Sequence, residues 1–578
     1  MSIDDWVVGS TARERFPLFT RANVGEVFPD PVMPLSDDWL IRGAEDGWRD
    51  AWVRMGAFDH DEFNPDDLEV LGIFGSYCYL NASIIRLFGE RAPGMSAQTM
   101  DDQFFGAQPG IPPYEVAEGD VRPDLTEKIG ATLAWAMSAP ELDDVAADER
   151  TVRGLRDARP DLTAMSDREL VAYARQLGAD HHQHLFEQHI FITYMASVPL
   201  AVISAVCEAV GRPTDTLRLV AGVGDVESAA PSMAMWELGR LVAASPTVTA
   251  AFEEGVAGLD ARLRAATDAD SAAFVEAFDG FLYRFGTRGP NEWEMRCATW
   301  ELEPELALAA IDRMRLAPAD ADPAAQGAVR AEERERVAKE ILGMVEGDPE
   351  AHGQLSAALA AAKVFMAGRE RTKTNNISMI HEARMAMWEL GRRMVAAGRF
   401  DDPSDFALLR SAELEELLDG ADMSAVIRGR RSDFLDLSQR QEPFIVIGEA
   451  QPPSMWPPRG ADVGAPVAVG DALPGVPGCP GSAQGRARVV LDSHDPSALS
   501  PGDVLVAPIT DPSWTPLFVT ASAVVVDVGA PLSHAVIVSR ELGIPCVVSA
   551  TDATKRIVDG ALVEVDGDTG VVTVLDGP

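Results

Sequence analysis

The sequence predicts a multidomain chain: a large, mainly α-helical region over residues 1–450, a Pro/Gly-rich hinge over 451–480 and a compact α/β domain over 481–578. Three observations lead there. From about residue 36 to 450, segments such as ELVAYARQLGAD, DSAAFVEAFDGFLYRFG and EERERVAKEILGMVEG place apolar residues at helical spacing, with Pro and Gly falling mainly between them. Then QPPSMWPPRGADVGAPVAVGDALPGVPGCPG loses periodicity, as an extended, semi-rigid connection does. After it come the short β-rich runs ARVVL, DVLVAP, AVVVDV, CVVSA, ALVEVDG and VVTVL, separated by turn signals such as SPGD and DGDTG. One segment among them, HAVIVSRELG, reads as a helix between the AVVVDV and CVVSA strands.

Composition narrows the function classes. The 578 residues carry a formal net charge of -42, a field that repels nucleic acid and anionic membranes, so neither is expected as a partner. No run approaches the roughly 18 consecutive apolar residues of a spanning helix. The N-terminal MSIDDWVVGS is acidic where a secretory signal would be basic and then apolar. Cys78, Cys207, Cys297, Cys479 and Cys546 form no C-x-x-C pair, which argues for a reducing compartment and against a zinc or disulfide framework. A cytoplasmic location is expected, and no metal site.

The informative stretch runs from Gly529 through His534 to Pro545. Physically, a buried strand ends in a glycine turn, and His534 stands at or just before the first turn of a helix. Backbone N–H groups and the helix dipole there favour negative charge, so a phosphoryl group on the imidazole would be stabilised. Near neutral pH an unperturbed imidazole is largely unprotonated and can act as a nucleophile. A lone histidine at such a place would more often be a cap or a core residue, but this one sits inside a longer pattern.

From about Pro480 onward the sequence carries a G-x-A-x-G-like entry at Gly481–Gly485, then TDPSWTPLF at Thr510–Phe518, then G-x-x-x-S-H-A-x-I-x-x-R-E-x-G-I-P. This combination resembles the phosphohistidine swivelling domain of the PEP-utilising enzyme family, which includes phosphoenolpyruvate synthase, pyruvate phosphate dikinase and rifampin phosphotransferase. The resemblance implies that His534 carries the phosphoryl group. Leu532 stands where the first two enzymes usually have Thr, which looks like the branch that phosphorylates hydroxyls of other molecules. The sequence stops soon after this domain, so the barrel that binds phosphoenolpyruvate or pyruvate in those enzymes is not expected.

Four islands in the helical region resemble the rifampin phosphotransferase type: Arg21–Leu35; Arg288-Gly-Pro-Asn-Glu292 with Trp300; Arg369-Glu-Arg-Thr-Lys373; and Asp402-Pro-Ser-Asp405 with Phe406. The resemblance implies an acceptor-binding region followed by the swivelling domain. Arg369 and Lys373 lie four apart on one helix face, and two converging cations suit a phosphoryl group in transfer. Arg288 could add a fork of donors, with Glu292 beside it, although most helix cations simply make surface ion pairs. A histidine cluster, His181-His182-Gln-His184-Leu-Phe186-Glu-Gln-His189, is open to three readings: a polar helix side, a general base that deprotonates the acceptor hydroxyl at an acceptor site, or a metal site. His182, His189 and Phe186 are the candidates for acceptor binding, although aromatic residues at helical spacing are more often core.

No G-x-x-x-x-G-K-[ST] loop is present to hold ATP. The arrangement resembles phenylphosphate synthase and related alkylphenol-phosphorylating enzymes, in which one subunit binds ATP and another carries the histidine. The expectation is therefore a dikinase-type phosphotransferase component. Mg-ATP would sit on a separate ATP-grasp subunit, and a small hydroxyl acceptor, a phenol or an alcohol, on this chain. An antibiotic or phosphoenolpyruvate-related substrate stays open, as does a non-catalytic regulatory module.

Overall fold

The computed structural model describes residues 15–105, 110–222, 230–316, 322–459, 465–491, 499–510, 514–529 and 533–578. Two compact units emerge: one of Met1–Val198, Trp293–Cys297 and Arg371–Asp462, the other of Pro199–Glu292, Ala298–Glu370 and Val463–Pro578. The helical region expected over 1–450 is thus shared between both units rather than forming one domain. Two long helices, Asp167–Ala209 and Pro349–Ala396, each belong partly to one unit and partly to the other. In the first, the division falls at Pro199, whose ring removes a backbone donor and crowds the preceding turn.

The first unit holds a small sheet of β1 (Leu18–Thr20), β2 (Leu71–Phe74), β3 (Tyr77–Asn81) and β4 (Ile445–Ile447), ordered β2-β3-β1-β4 and antiparallel throughout. The β2–β3 hairpin closes through Gly75 and Ser76, at φ 53 and 72. Positive φ at both central residues is the turn type whose twist matches the flanking strands. Arg21, from the first resembling island, is 5% exposed and donates to the carbonyls of Cys78 and Phe28 at 2.6 and 2.8 Å. That island therefore ties down the sheet.

By length and composition alone, the helix Asp167–Ala209 is long and apolar enough to cross a membrane. Its apolar positions are dense but interrupted, so no run of consecutive apolar residues marks it in the sequence. Half of its most apolar stretch is buried inside the protein.

The second unit joins a helical cluster to an eight-stranded sheet. The helices Ala230–Ala244, Ala269–Phe285 and Pro304–Leu316 bury Met235, Phe274, Phe278, Phe281 and Ile311 together. The sheet contains β5 (Ala472–Pro474), β6 (Val476–Cys479), β7 (Ser482–Val489), β8 (Val504–Ala507), β9 (Ala523–Val526), β10 (Cys546–Val548), β11 (Leu562–Asp566) and β12 (Val571–Asp576). Its order is β5-β12-β11-β7-β8-β9-β10-β6. The expected hinge of 451–480 is corrected at its end, since β5 and β6 lie in this sheet. The α/β domain begins by Ala472, because Leu473 and Val476 find a core despite the surrounding Pro and Gly.

Strands β7 to β10 pair in parallel. The central ones, VLVA and AVVV, are buried at every position, as parallel strands covered on both faces must be. One face carries the helices Thr515–Thr520 and His534–Leu542, with Phe518, Trp514 and Val538 in the core between. The histidine helix stops at Gly543, at φ 71, where the Ile544 N–H returns to the Ser539 carbonyl. A left-handed residue just past a helix end is the natural place for glycine, which explains the E-L-G-I-P ending.

In the first unit, Gly391 of the helix Pro349–Ala396 lies against the Asp402–Asp405 island, and a Cβ there would stand 1.9 Å from the Pro403 carbonyl oxygen. Gly391→Ala is expected to lower stability by about 1–3 kcal/mol through overpacking, measured by thermal unfolding.

Candidate functional site

His534 is the first residue of its helix, with Ser533 as the N-cap at φ -69 and ψ 160. The Ser533 side chain makes no capping hydrogen bond, so the first-turn N–H groups are not satisfied from there. The Nδ1 of His534 lies 3.1 Å from the Thr510 hydroxyl. Thr510 follows β8 and His534 follows β9, so the two meet beyond the carboxyl ends of adjacent parallel strands, where open α/β sheets hold their ligands. The Phe518 ring meets the imidazole edge-on, at 5.8 Å and 79°. His534 is 8% exposed. The turn residues Ala530, Pro531 and Leu532, and Asp511–Ser513 of the TDPSWTPLF block, lie outside the described residues.

The approach to the histidine is braced from below. Asp527, just after β9, accepts from the Thr554 backbone N–H at 2.8 Å and from its hydroxyl. The Ser549 hydroxyl donates to the Gly529 carbonyl at 2.6 Å. Burial pushes the Asp527 carboxyl up to about 6.

In the same unit the α/β domain rests on the helical cluster. Arg218 pairs with Asp568 at 2.5 Å, and Arg330, on the helix Pro323–Met344, donates to the Gly543 carbonyl at 2.9 Å. Arg540 is 3% exposed, and burial lowers its pKa, with the charges of Glu541 and Arg369 acting in opposite senses. Arg369 is thus brought near the histidine helix. Its Nη1 donates to Glu370 at 2.6 Å. Arg288 and Glu292 form a bidentate ion pair, at 2.7 and 3.2 Å, with exposures of 4% and 1%. A guanidinium fork already gripped by a carboxylate is first of all a structural pair, which corrects the expectation that Arg288 stands ready for a phosphoryl group. Lys373, half-buried, belongs to the first unit.

That unit also separates the histidines of the cluster. His182 is 2% exposed; its Nε2 lies 3.0 Å from the Leu40 carbonyl, and Gly43 leaves room for its ring. Burial lowers its pKa to about 4. It is a core histidine, so its expected acceptor contact is corrected. His184 faces outward to Asp148 at 3.0 Å, and that carboxylate raises its pKa. His189, half-buried, has its Nδ1 3.1 Å from the Thr372 hydroxyl. Its ring lies 6.1 Å from Trp293, and Phe186 stands 5.9 Å from Trp293 and 6.4 Å from His189. Among the described residues, no group of three or more His, Cys, Asp and Glu could hold a metal ion.

Thr510, Phe518, Thr372 and Trp293 are the neighbours that sequence reasoning assigned no role. Thr510 and Phe518 bound the TDPSWTPLF block, Thr372 sits inside R-E-x-T-K and Trp293 follows Glu292. Adjacency to those motifs was the available signal, but nothing in it says which side chain meets which imidazole.

Comparisons with known proteins match two stretches of the chain. Residues 189–370 match the family described as the rifampicin phosphotransferase fourth domain, and residues 499–570 match the PEP-utilising enzyme mobile domain. An uncharacterized protein of Mycobacterium tuberculosis is 34% identical over 348 residues, covering 59% of this chain and 36% of that protein. The prodigiosin synthesizing transferase PigC of Serratia marcescens is 28% identical over 371 residues, covering 62% and 40%. A rifampicin phosphotransferase of Streptomyces sviceus is 29% identical over 312 residues, covering 52% and 34%. The chain spans about a third of the length of the mycobacterial relative and of the Streptomyces enzyme.

Two buried groups set opposite pH responses. Asp527 is raised in the fold, so its contribution is intact at low pH and stability falls as pH rises through about 6. Asp527→Asn should flatten that loss, worth about 1–1.5 kcal/mol between the two conditions, in urea titrations at pH 5 and 7.5. His182 is depressed, so stability is present above about 6.5 and lost as pH falls towards 4. His182→Leu should remove that acid slope, about 3 kcal/mol, from the unfolding of the first unit.

Proposed function

We propose that this chain is the histidine-carrying, acceptor-binding component of an ATP-dependent, dikinase-type phosphotransferase. The carrying observation is an imidazole at the first position of a helix, engaged at Nδ1 by Thr510 and placed beyond the carboxyl ends of two parallel strands. With Nδ1 donating to the Thr510 oxygen, the lone pair sits on Nε2, the nitrogen that takes the phosphoryl group. The matches to the two domain families and to enzymes named as phosphotransferases support the same reading.

The cycle is a chain of balanced displacements. Nε2 of His534 attacks the β-phosphorus of Mg-ATP on a separate ATP-grasp subunit, and AMP leaves. Water then cleaves the pyrophosphorylated histidine, releasing Pi and leaving phosphohistidine. The domain swings about the segment before Ala472. A hydroxyl of a small organic acceptor, phenol or alcohol, attacks phosphorus; the P–N bond breaks and its electron pair returns to Nε2. Arg369 and Lys373 neutralise the charge that develops on the phosphoryl oxygens. Arg288 and Glu292 hold their turn as an ion pair, and Phe186 and His189 line the acceptor side. A ring exposed to only 8% needs that swing, because an ATP phosphate must reach its nitrogen.

Mixed with an ATP-grasp subunit and Mg-ATP, the protein is expected to gain the mass of one phosphoryl group, labile to acid and absent from His534→Ala, by intact mass spectrometry. A gain that persists in His534→Ala sinks the reading. Thr510→Val, which removes the hydroxyl at Nδ1, should slow phosphohistidine formation roughly tenfold, the worth of one hydrogen bond.

A further inference from the structure

A domain that swings must first let go of what it rests on, and within the second unit the α/β domain rests on the helical cluster. We infer that Arg218 and Arg330, joined through Glu333, form a releasable ionic clamp that seats one corner of the α/β domain. The swing belongs to the reading proposed above, on which the clamp's functional meaning rests; the clamp names the residues that hold the domain and release it.

The clamp is assembled on the helical side. Arg218, on the short helix Asp215–Leu219, donates from Nη1 to Asp215 at 3.0 Å, and its Nε lies 3.5 Å from one Glu333 oxygen. The other Glu333 oxygen accepts from Arg330 Nη1 at 3.1 Å, one turn away along the helix Pro323–Met344. One carboxylate thus holds two guanidinium groups from distant parts of the chain. Each reaches the α/β domain with a nitrogen left over. Arg218 Nη2 donates to Asp568 at 2.5 Å, and Arg330 Nη2 donates to the Gly543 carbonyl at 2.9 Å. Both are charge-assisted bonds, which are stronger than neutral ones.

The two receiving groups share a corner of the domain. Asp568 also accepts the N–H of Gly481 at 3.0 Å, where the chain turns from β6 into β7. A Cβ at Gly481 would stand 3.3 Å from Pro545, two residues past Gly543. Gly543 meets two demands at once: its φ of 71 ends the histidine helix, and a Cβ there would stand 2.8 Å from Arg330 Nε. The glycine of the E-L-G-I-P ending therefore serves docking as well as the helix stop. Arg330 also places a positive charge at the negative end of the helix whose first residue is His534. The clamp is open to solvent. The side chains of Arg218 and Arg330 are each 24% exposed, Glu333 27% and Asp568 36%. On the apolar side, the partly buried Val519 packs against the cores of both parts. Domain interfaces part readily unless they are large and hydrophobic, and exposed charges grip less as salt rises.

Amide hydrogen exchange of the full chain, read by mass spectrometry, tests the clamp without ATP or an acceptor. The segments to follow are 327–334 and 541–545, which meet where Arg330 reaches Gly543. Arg218→Ala should speed their exchange about fivefold, the worth of one exposed ion pair. Glu333→Gln, which loosens both guanidinium groups, should speed it at least as much. Asp568→Asn keeps an oxygen for the Gly481 N–H and should match Arg218→Ala, and the two changes together should add nothing further. Arg336→Ala breaks the exposed pair with Glu340 on the same helix, at 2.6 Å, and should leave both segments unchanged. Raising salt from about 0.05 to 0.5 M should speed exchange in the wild type and do little in Glu333→Gln. Exchange unmoved by Arg218→Ala and by salt overturns the proposal. A rise that spreads into β8 and β9 also overturns it, because that is unfolding and not release. Failure of His534 to take a phosphoryl group would count against the carrier reading, and the exchange rates would still decide the clamp.

Discussion

The hydrogen bond between Thr510 and His534 Nδ1 ties together the loops that follow two neighbouring parallel strands. An imidazole has two nitrogens with different duties, and when one of them donates its N–H the lone pair is left on the other. That bond depends on β8 and β9 lying side by side in parallel, since only then do both chains leave the sheet at the same edge. The strands in turn depend on continuous valine-rich burial, and the helix that follows depends on Gly543 to end it. A long sequence signature thus brings one imidazole, engaged at Nδ1, to the first position of a helix.

The cations expected to assist transfer are not equivalent. Arg288 is locked by Glu292 in a buried, bidentate pair, and removing either partner would leave an uncompensated charge inside the protein. Arg369 lies in the same unit as the histidine helix and lowers the pKa of its Arg540, whereas Lys373, one turn further along, belongs to the other unit. The helix Pro349–Ala396 therefore has Arg369 in one unit and Lys373 in the other. The helix Asp167–Ala209 crosses the same division, with His189 on one side of Pro199.

Much of this was legible in the amino-acid sequence. Each of the six β-rich runs after the hinge contributes to a strand, and HAVIVSRELG is the helix between β9 and β10. Those features are local: strand periodicity, a glycine stop and turn residues declare themselves within a few positions. The N-terminal position of His534 on its helix is local in the same sense. The start of the α/β domain was misplaced because Pro and Gly outweighed the few apolar residues of β5 and β6, whose partners β12 and β10 lie far along the chain.

The sequence by itself determined the classes of domain, the helix on which the histidine stands and the identity of that histidine as the candidate carrier. Only the tertiary structure decided which of four clustered histidines is core, surface or partnered by a threonine. It alone also showed that Arg288 is held by Glu292 and that one helical stretch is divided between two units. The physical reason is range. Helix and strand signals are set by residues a few positions apart, whereas Thr372 meets His189 across 183 positions and Thr510 meets His534 across 24. Pairings at such separations are fixed by which elements pack together, and no periodicity in the chain records that.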